Sequence, residues 1–246
     1  LFALGVYSSA FAGWQDDAKS LFEKDEYHKV IDIVDKHKKD DDSRFGMMLL
    51  AFSHLQLYEF NDTRSDKKAF KNYMDQLEDL VDAKNLNDIK YFISRVDKPE
   101  VVDEARDLLK KAFKNISRIE QAPLVLDFLS AKDEKTRKLA ASALEDMISS
   151  KRKYVKKGGT LREKDVKIMR DEKLIRGLLE NIEISDAFHT LEDIEQPVLQ
   201  YLNQYEGKKI IKLEEKINKA IAKRIKKHPD SNWYSANGTV RQAADE

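Results

Sequence analysis

Basic side chains crowd around a single tyrosine, Tyr154, in the second half of the chain. Cations of this kind can contact the phosphates of nucleic acids or the headgroups of anionic lipids. Because the chain as a whole is neutral, we favour a solvated surface over a nucleic-acid contact. The candidate anion-binding residues of this segment are Lys151, Arg152, Lys153, Lys156 and Lys157.

A second basic row lies near the C-terminus, where lysines recur at spacings of three and four residues. The opposite stripe of the same helical pattern is built from isoleucine and leucine, so one face is predicted to be buried and the other basic. The basic face could bind the same anions, or it could be the solvated face of a terminal capping helix. The residues singled out in this row are Lys212, Lys216, Lys219 and Lys223.

Tyrosines are the third set of residues that could make functional contacts. An aromatic ring with a polar tip often anchors a protein–protein interface. The alternative is that most of these rings pack inside the protein. The candidate partner-binding residues are Tyr58, Tyr73, Tyr91, Tyr201 and Tyr205.

Motifs for catalysis or cofactor binding are missing from the sequence. The absence of cysteine excludes disulfides and thiolate zinc sites, and the five histidines form no H-E-x-x-H pattern. Gly158 and Gly159 lack the strand-to-helix context of a phosphate-binding loop, so a flexible loop is the better interpretation. We expect no enzyme, cofactor or metal site. A lyase or another enzyme on a helical frame is the least favoured alternative.

The elements that would position these residues are helices. The chain is 37% charged and contains only 8 Gly and 4 Pro, too few turn-formers for many short strands. Apolar residues recur at three- and four-residue spacing from Trp14 onward, whereas no segment alternates convincingly with period two. Asp97 and Asp133 are predicted to cap the starts of two helices.

Self-similarity indicates how the helices are arranged. A shift of 36 residues carries Asp97 onto Asp133 and Leu108 onto Leu144. A period in the middle thirties is the length of one helix hairpin. The predicted fold is therefore all-α: a right-handed superhelical array, or α-solenoid, of antiparallel helix hairpins.

One hairpin carries the residues of a known repeat family, Pro123, Leu126, Leu129, Asp133, Arg137, Ala140, Ala143 and Leu144. It resembles a HEAT-type unit, in which the Asp and the Arg lie near the start of the second helix and small residues let the helices approach. The resemblance extends loosely over residues 85–228. The unit near Asp97 has valine where the Arg is expected, and the unit near Pro197 lacks the Asp–Arg pair.

The N-terminal part resembles a different repeat family. Six residues, Leu21, Phe22, Tyr27, Val30, Ile31 and Val34, look like the end of one tetratricopeptide helix and the start of its partner. Val30 stands where that family has a small residue, and residues 62–66 interrupt the usual turn of a second pair. The resemblance implies helix hairpins.

The chain divides into six predicted segments. Residues 1–12 end in small residues after an uncharged apolar run, which is typical of the end of a secretory signal peptide; an ordinary buried first helix is the alternative. The other segments are tetratricopeptide-like hairpins (13–84), HEAT-like hairpins (85–150), a basic loop or hinge (151–170), C-terminal helix hairpins (171–228) and a flexible tail (229–246).

Composition restricts the class of partner. Lys plus Arg and Asp plus Glu are equal at 45 each, so no global field attracts nucleic acid or membranes. We expect a non-catalytic scaffold or adaptor that binds a protein or peptide, exported to the periplasm or the cell exterior and without a transmembrane segment. The alternative is a cytosolic HEAT-like protein that binds nucleic acid through its basic loop and last helix.

Overall fold

The computed structural model describes residues 8–37 and 44–194, and within these ranges every regular element is a helix. The all-α prediction is confirmed. The chain forms two compact units, Leu1–Asn115 (unit 1) and Ile116–Glu246 (unit 2). The superhelical winding and the repeat families remain predictions.

Unit 1 is a series of helices joined by short turns. Its helices are α1 (Ser8–Glu23), α2 (Tyr27–His37), α3 (Arg44–Asn61), α4 (Arg64–Leu80), α5 (Leu86–Arg95) and α6 (Pro99–Lys114), with a 3-10 turn at Ala83–Asn85. Helix α1 packs on α2, α2 on α3, α3 on α4 and α5 on α6, and the α3–α4 contact is the most extensive. Asp25 and Asp62, both with positive φ, lie in the turns between α1 and α2 and between α3 and α4.

The central helix of unit 1 is α3, which packs against α1, α2, α4 and α6. Most of its residues are buried because apolar side chains occur all around the helix rather than on one stripe. Phe52 meets Phe92 of α5 edge to face, with ring centroids 4.7 Å apart, and Phe22 of α1 contacts the same Phe92 ring. These aromatic pairs join α1, α3 and α5 into one core.

Unit 2 is built around its longest described helix. Its elements are a 3-10 turn (Ile119–Gln121), α7 (Ala122–Leu126), a 3-10 turn (Asp127–Ser130), α8 (Glu134–Lys156), α9 (Glu163–Met169), α10 (Glu172–Glu180) and α11 (Ser185–Asp193). Helix α8 packs on α7 and α11, and α10 packs on α11. Leu144, Leu178 and Phe188 are fully buried in this core.

The predicted basic loop at residues 151–170 differs from the structure. Helix α8 continues through Lys156, and α9 occupies Glu163–Met169. The chain leaves α8 at Gly158, whose φ of +88° suits a residue without a side chain, and the Tyr154 ring lies directly against Gly159. Lysine and arginine are good helix formers, so a basic composition alone does not indicate a loop.

The two predicted helix caps have different outcomes. The backbone amide of Thr136 donates to Asp133 Oδ1 at 2.8 Å, so this cap is confirmed. Arg137 Nη1 donates to the carbonyl oxygens of Ala131 and Lys132, both at 2.9 Å. The Asp97 prediction is wrong, because Lys98 precedes the first turn of α6 and its side chain makes no capping bond.

Several predicted segments fall partly or wholly outside the described residues. Helix α1 begins at Ser8 and runs past Ala12, while residues 1–7 lie outside the description. The tail at 229–246 and most of the C-terminal hairpins also lie outside it. In the two described ranges, no helix has both the length and the apolar composition needed to cross a membrane.

Candidate functional site

A cleft beside the α3–α4 hairpin of unit 1 brings four basic side chains together with one tyrosine. Its volume is about 590 Å³. Tyr58 comes from α3 and Asp62 from the turn, whereas all other lining residues come from α4. We call it the cationic cleft; it is lined by Tyr58, Asp62, Arg64, Lys67, Lys68, Lys71, Asn72 and Asp75.

The sequence of α4 explains why the cations share one face. Arg64, Lys68 and Lys71 follow each other at spacings of four and three, which places them on one side of an α-helix. Met74 and Leu77, on another side, are buried against the rest of unit 1. Burial of that apolar stripe orients α4 and holds the basic side outward.

Lys67 is the only cation of the cleft whose side chain makes a hydrogen bond to a described residue. Its Nζ donates to Tyr58 Oη at 3.0 Å and lies 4.8 Å from the centroid of that ring. The hydrogen bond to Tyr58 raises the pKa of Lys67, so the side chain stays charged at neutral pH. Tyr58 therefore positions one ammonium group at the wall of the cleft.

The charges of the other three cations are not neutralised by an ion pair. Arg64, Lys68 and Lys71 make no ion pair with any residue that the structure describes. With Lys67 they place four positive charges at the cleft against the two carboxylates of Asp62 and Asp75, a difference of +2. These groups can donate many hydrogen bonds, and the guanidinium of Arg64 can bind a carboxylate through two of them.

The order of charges along α4 opposes helix stability. Acidic side chains stabilise a helix near its N-terminus and basic ones near its C-terminus. In α4 the basic residues occupy the N-terminal half, Asp66 is the one acid of the first turn, and the last turn contains no base. The placement of Arg64, Lys68 and Lys71 therefore does not serve to stabilise the helix itself.

A polar cluster fixes the turn that leads into the cleft. Asp66 accepts hydrogen bonds from the Thr63 hydroxyl and from His54 Nδ1, the latter at 2.7 Å. Burial raises the pKa of Asp66, but the two hydrogen bonds outweigh burial and the pKa lies below its usual value. Tyr73 stacks on His54 with centroids 6.0 Å apart. The start of α4 is thereby tied to α3.

A second cavity of unit 1, about 460 Å³ in volume, is lined in part by Arg44 and Asn85, which bond each other. Arg44 Nη1 donates to Asn85 Oδ1 at 3.0 Å and pairs with Asp82 at 3.1 Å. Burial raises the pKa of Asp88 in its wall. Because Arg44 is occupied, this cavity is less suited to an anion than the cationic cleft.

The predicted tyrosines separate into two kinds. Tyr58 lines the cationic cleft, whereas Tyr73 stacks on His54. The Tyr91 hydroxyl donates to Glu23 Oε1 at 3.0 Å and its ring packs on Phe92 at 5.1 Å, so Tyr91 is a packing residue. Tyr201 and Tyr205 lie outside the described residues.

The predicted anion-binding residues of α8 are only partly available. Lys151 pairs with Asp165, a carboxylate that is 2% exposed, at 3.1 Å. Lys153 and Lys157 are exposed. The side chains of Arg152 and Lys156 lie outside the description, as do all of the residues Lys212, Lys216, Lys219 and Lys223.

Asp165 binds a second cation as well. Arg162 donates to both of its oxygens, from Nε at 3.1 Å and from Nη2 at 2.9 Å. The same Nη2 also donates to Glu120 Oε1 at 2.7 Å. Burial raises the pKa of Asp165, but its bonds to Arg162 and Lys151 outweigh burial and lower it. This network joins α8, α9 and the turn before α7, so Lys151 has a structural role.

Sequence reasoning missed the four cations of the cleft. They lie in the segment Arg-Ser-Asp-Lys-Lys-Ala-Phe-Lys, which the sequence analysis treated only as the interrupted turn and start of a second hairpin. The signal in the sequence was their three- and four-residue spacing on a helix that has apolar residues along another side. Within the described ranges, no three His, Asp or Glu side chains are grouped so as to hold a metal ion.

No known family, curated protein or solved structure matches the chain. Function must therefore be inferred from the residues themselves.

Proposed function

We propose that this protein is a non-catalytic helical adaptor that binds an acidic segment of a protein partner in the cationic cleft. The observation that carries the proposal is the row of Arg64, Lys68 and Lys71, which have no ion pair with a described residue. Unpaired cations beside a tyrosine favour a carboxylate-rich partner through charge complementarity.

The dimensions of the cleft suit an acidic segment of a partner. Its volume of about 590 Å³ lies within the range of sites that enclose a ligand, roughly 300–1,000 Å³. Tyr58 and the side-chain stems of the lysines supply apolar contact beside the charges. The HEAT-like and tetratricopeptide-like resemblances, and export from the cytoplasm, belong to the same proposal.

Nucleic-acid binding through the basic end of α8 is the less favoured function. Lys151 is held by Asp165, and the chain carries no net charge that would attract a polyanion. Of the basic end of α8, the described side chains that could still bind nucleic acid are the exposed Lys153 and Lys157.

The test is a titration of a fluorescent Glu-rich peptide followed by anisotropy. Lys68→Glu with Lys71→Glu should weaken binding at least about tenfold, because like charges then face each other. The matched control is Lys167→Glu with Lys173→Glu, which changes the net charge equally at exposed positions of unit 2. Binding of the control protein should stay within about twofold of the unmodified protein.

Two outcomes would overturn the proposal. One is an unmodified protein that does not bind the peptide even at low ionic strength. The other is an equal loss of affinity in both double variants, which would indicate a general charge effect without a site. A single-stranded oligonucleotide of equal charge provides the comparison with the nucleic-acid alternative.

A further inference from the structure

We propose that the acidic segment bound at the cationic cleft belongs to a second copy of this chain, whose α4 lies antiparallel beside the first. The inference rests on the proposed function of the cleft and names its partner. It is carried by an acidic surface at the other end of the same helix and by the chain's lack of net charge.

The charge of the side chains on one side of α4 changes from positive to negative along the helix. Arg64, Lys68 and Lys71 are followed on the same side by Asp75 and Glu78, at spacings of three and four residues. From Arg64 to Glu78 the helix rises about 21 Å, at about 1.5 Å per residue. A positive half and a negative half therefore lie along one line.

The negative half is extended by α6 of the same unit, and the acidic end is defined by Glu78, Asp103, Glu104 and Asp107. Lys111 of α6 contacts Glu78 of α4, and Glu104 and Asp107 lie seven and four residues before Lys111, on the same side of α6. Burial raises the pKa of Glu104, and the neighbouring charges of Asp107, Asp103 and Glu78 raise it further.

Two of these four carboxylates are already neutralised. Lys111 pairs with Glu78 at 2.5 Å, and Arg106 pairs with Asp103 at 2.5 Å. Glu104 and Asp107 make no ion pair with a described residue. The four acids and two bases leave a difference of −2, which equals in size the +2 of the cationic cleft.

An antiparallel arrangement uses both surfaces at once. When two α4 helices run in opposite directions, the positive half of each faces the negative half of the other. Such a contact is isologous and closes at two copies, which is the commonest symmetry of soluble homo-oligomers. A parallel pair would place like charges opposite each other and would be repelled.

The charge of the whole chain permits this association. Its 45 basic and 45 acidic residues give a formal net charge of zero, so two copies do not repel each other as charged bodies. Opposite patches on a neutral molecule attract over about one Debye length, about 8 Å at physiological ionic strength. The contact is therefore expected to weaken as salt rises.

A charge-exchange experiment tests the pairing with the full chain. Sedimentation velocity of the unmodified protein should show a monomer–dimer equilibrium that shifts to monomer in high salt. Lys68→Glu with Lys71→Glu, and separately Glu104→Lys with Asp107→Lys, should each weaken dimerisation at least about tenfold. An equimolar mixture of these two variants should dimerise again, because the reversed cleft of one matches the reversed acidic end of the other.

The outcomes separate this inference from the proposed function. A monomeric unmodified protein that still binds the Glu-rich peptide would overturn the dimer and leave the cleft function standing. Dimerisation that survives both charge reversals, or a mixture that stays monomeric when both variants are folded by circular dichroism, would also overturn the pairing. An unmodified protein that neither binds the peptide nor dimerises would overturn both proposals.

Discussion

Asp165 contacts Lys151 of α8 and Arg162, and Arg162 in turn contacts Glu120 of the turn before α7, so three segments of unit 2 are joined. A carboxylate that is 2% exposed loses its hydration on folding, and it is stable there only because both oxygens face cations. The network occupies Lys151, which sequence alone presented as free for an anion. At this scale the cost of burying a charge decides which lysines remain available for binding.

Replacing Asp165→Asn should destabilise the protein by about 2–4 kcal/mol, because two cations lose their buried partner. The folded state lowers the pKa of Asp165, so its contribution is complete above the unfolded pKa of about 4 and is lost as pH falls through the folded value. Urea unfolding followed by circular dichroism at several pH values measures both effects.

The control for this substitution is Asp146→Asn, which removes an exposed carboxylate of α8 in the same unit. Its effect at neutral pH should remain within about 0.5 kcal/mol. If Asp165→Asn lowered the free energy of unfolding no more than the control does, the network would not contribute to the stability of the fold.

Helix α8 shows at the scale of an element what could be predicted from sequence. The apolar spacing and the Asp133 cap gave the position of its start, since both are local features. Its end was misjudged at residue 150, because a polar and basic segment was taken for a loop. The deciding contacts, Lys151 with Asp165 and Tyr154 with Gly159, depend on tertiary structure that the sequence pattern does not contain.

Gly158→Ala should destabilise unit 2 by about 1 kcal/mol, since φ of +88° is unfavourable for a residue with a side chain. The contrasting change is Gly13→Ala in α1, where an added Cβ meets no atom within 4 Å and alanine favours the helix. Thermal unfolding of the two variants should move in opposite directions. Stabilisation by Gly158→Ala would show that α8 does not end in this conformation.

At the scale of the whole molecule, helical class followed from composition and apolar spacing, whereas the candidate site did not. Tyr58 was identified as a contact residue, but α4 was read only as a hairpin member with a disrupted turn. The cleft required knowledge that Met74 and Leu77 are buried, because burial of one side decides which charges face outward. The equal totals of 45 basic and 45 acidic residues do not indicate that charges are segregated along α4.

The most direct measurement of the central claim is a map of backbone amide chemical shifts during titration with the Glu-rich peptide. We expect saturable shifts to concentrate at the end of α3 and along the N-terminal half of α4, around Tyr58, Lys68 and Lys71. Shifts that centre instead on Lys153 and Lys157, or that spread evenly over both units, would contradict binding in the cationic cleft.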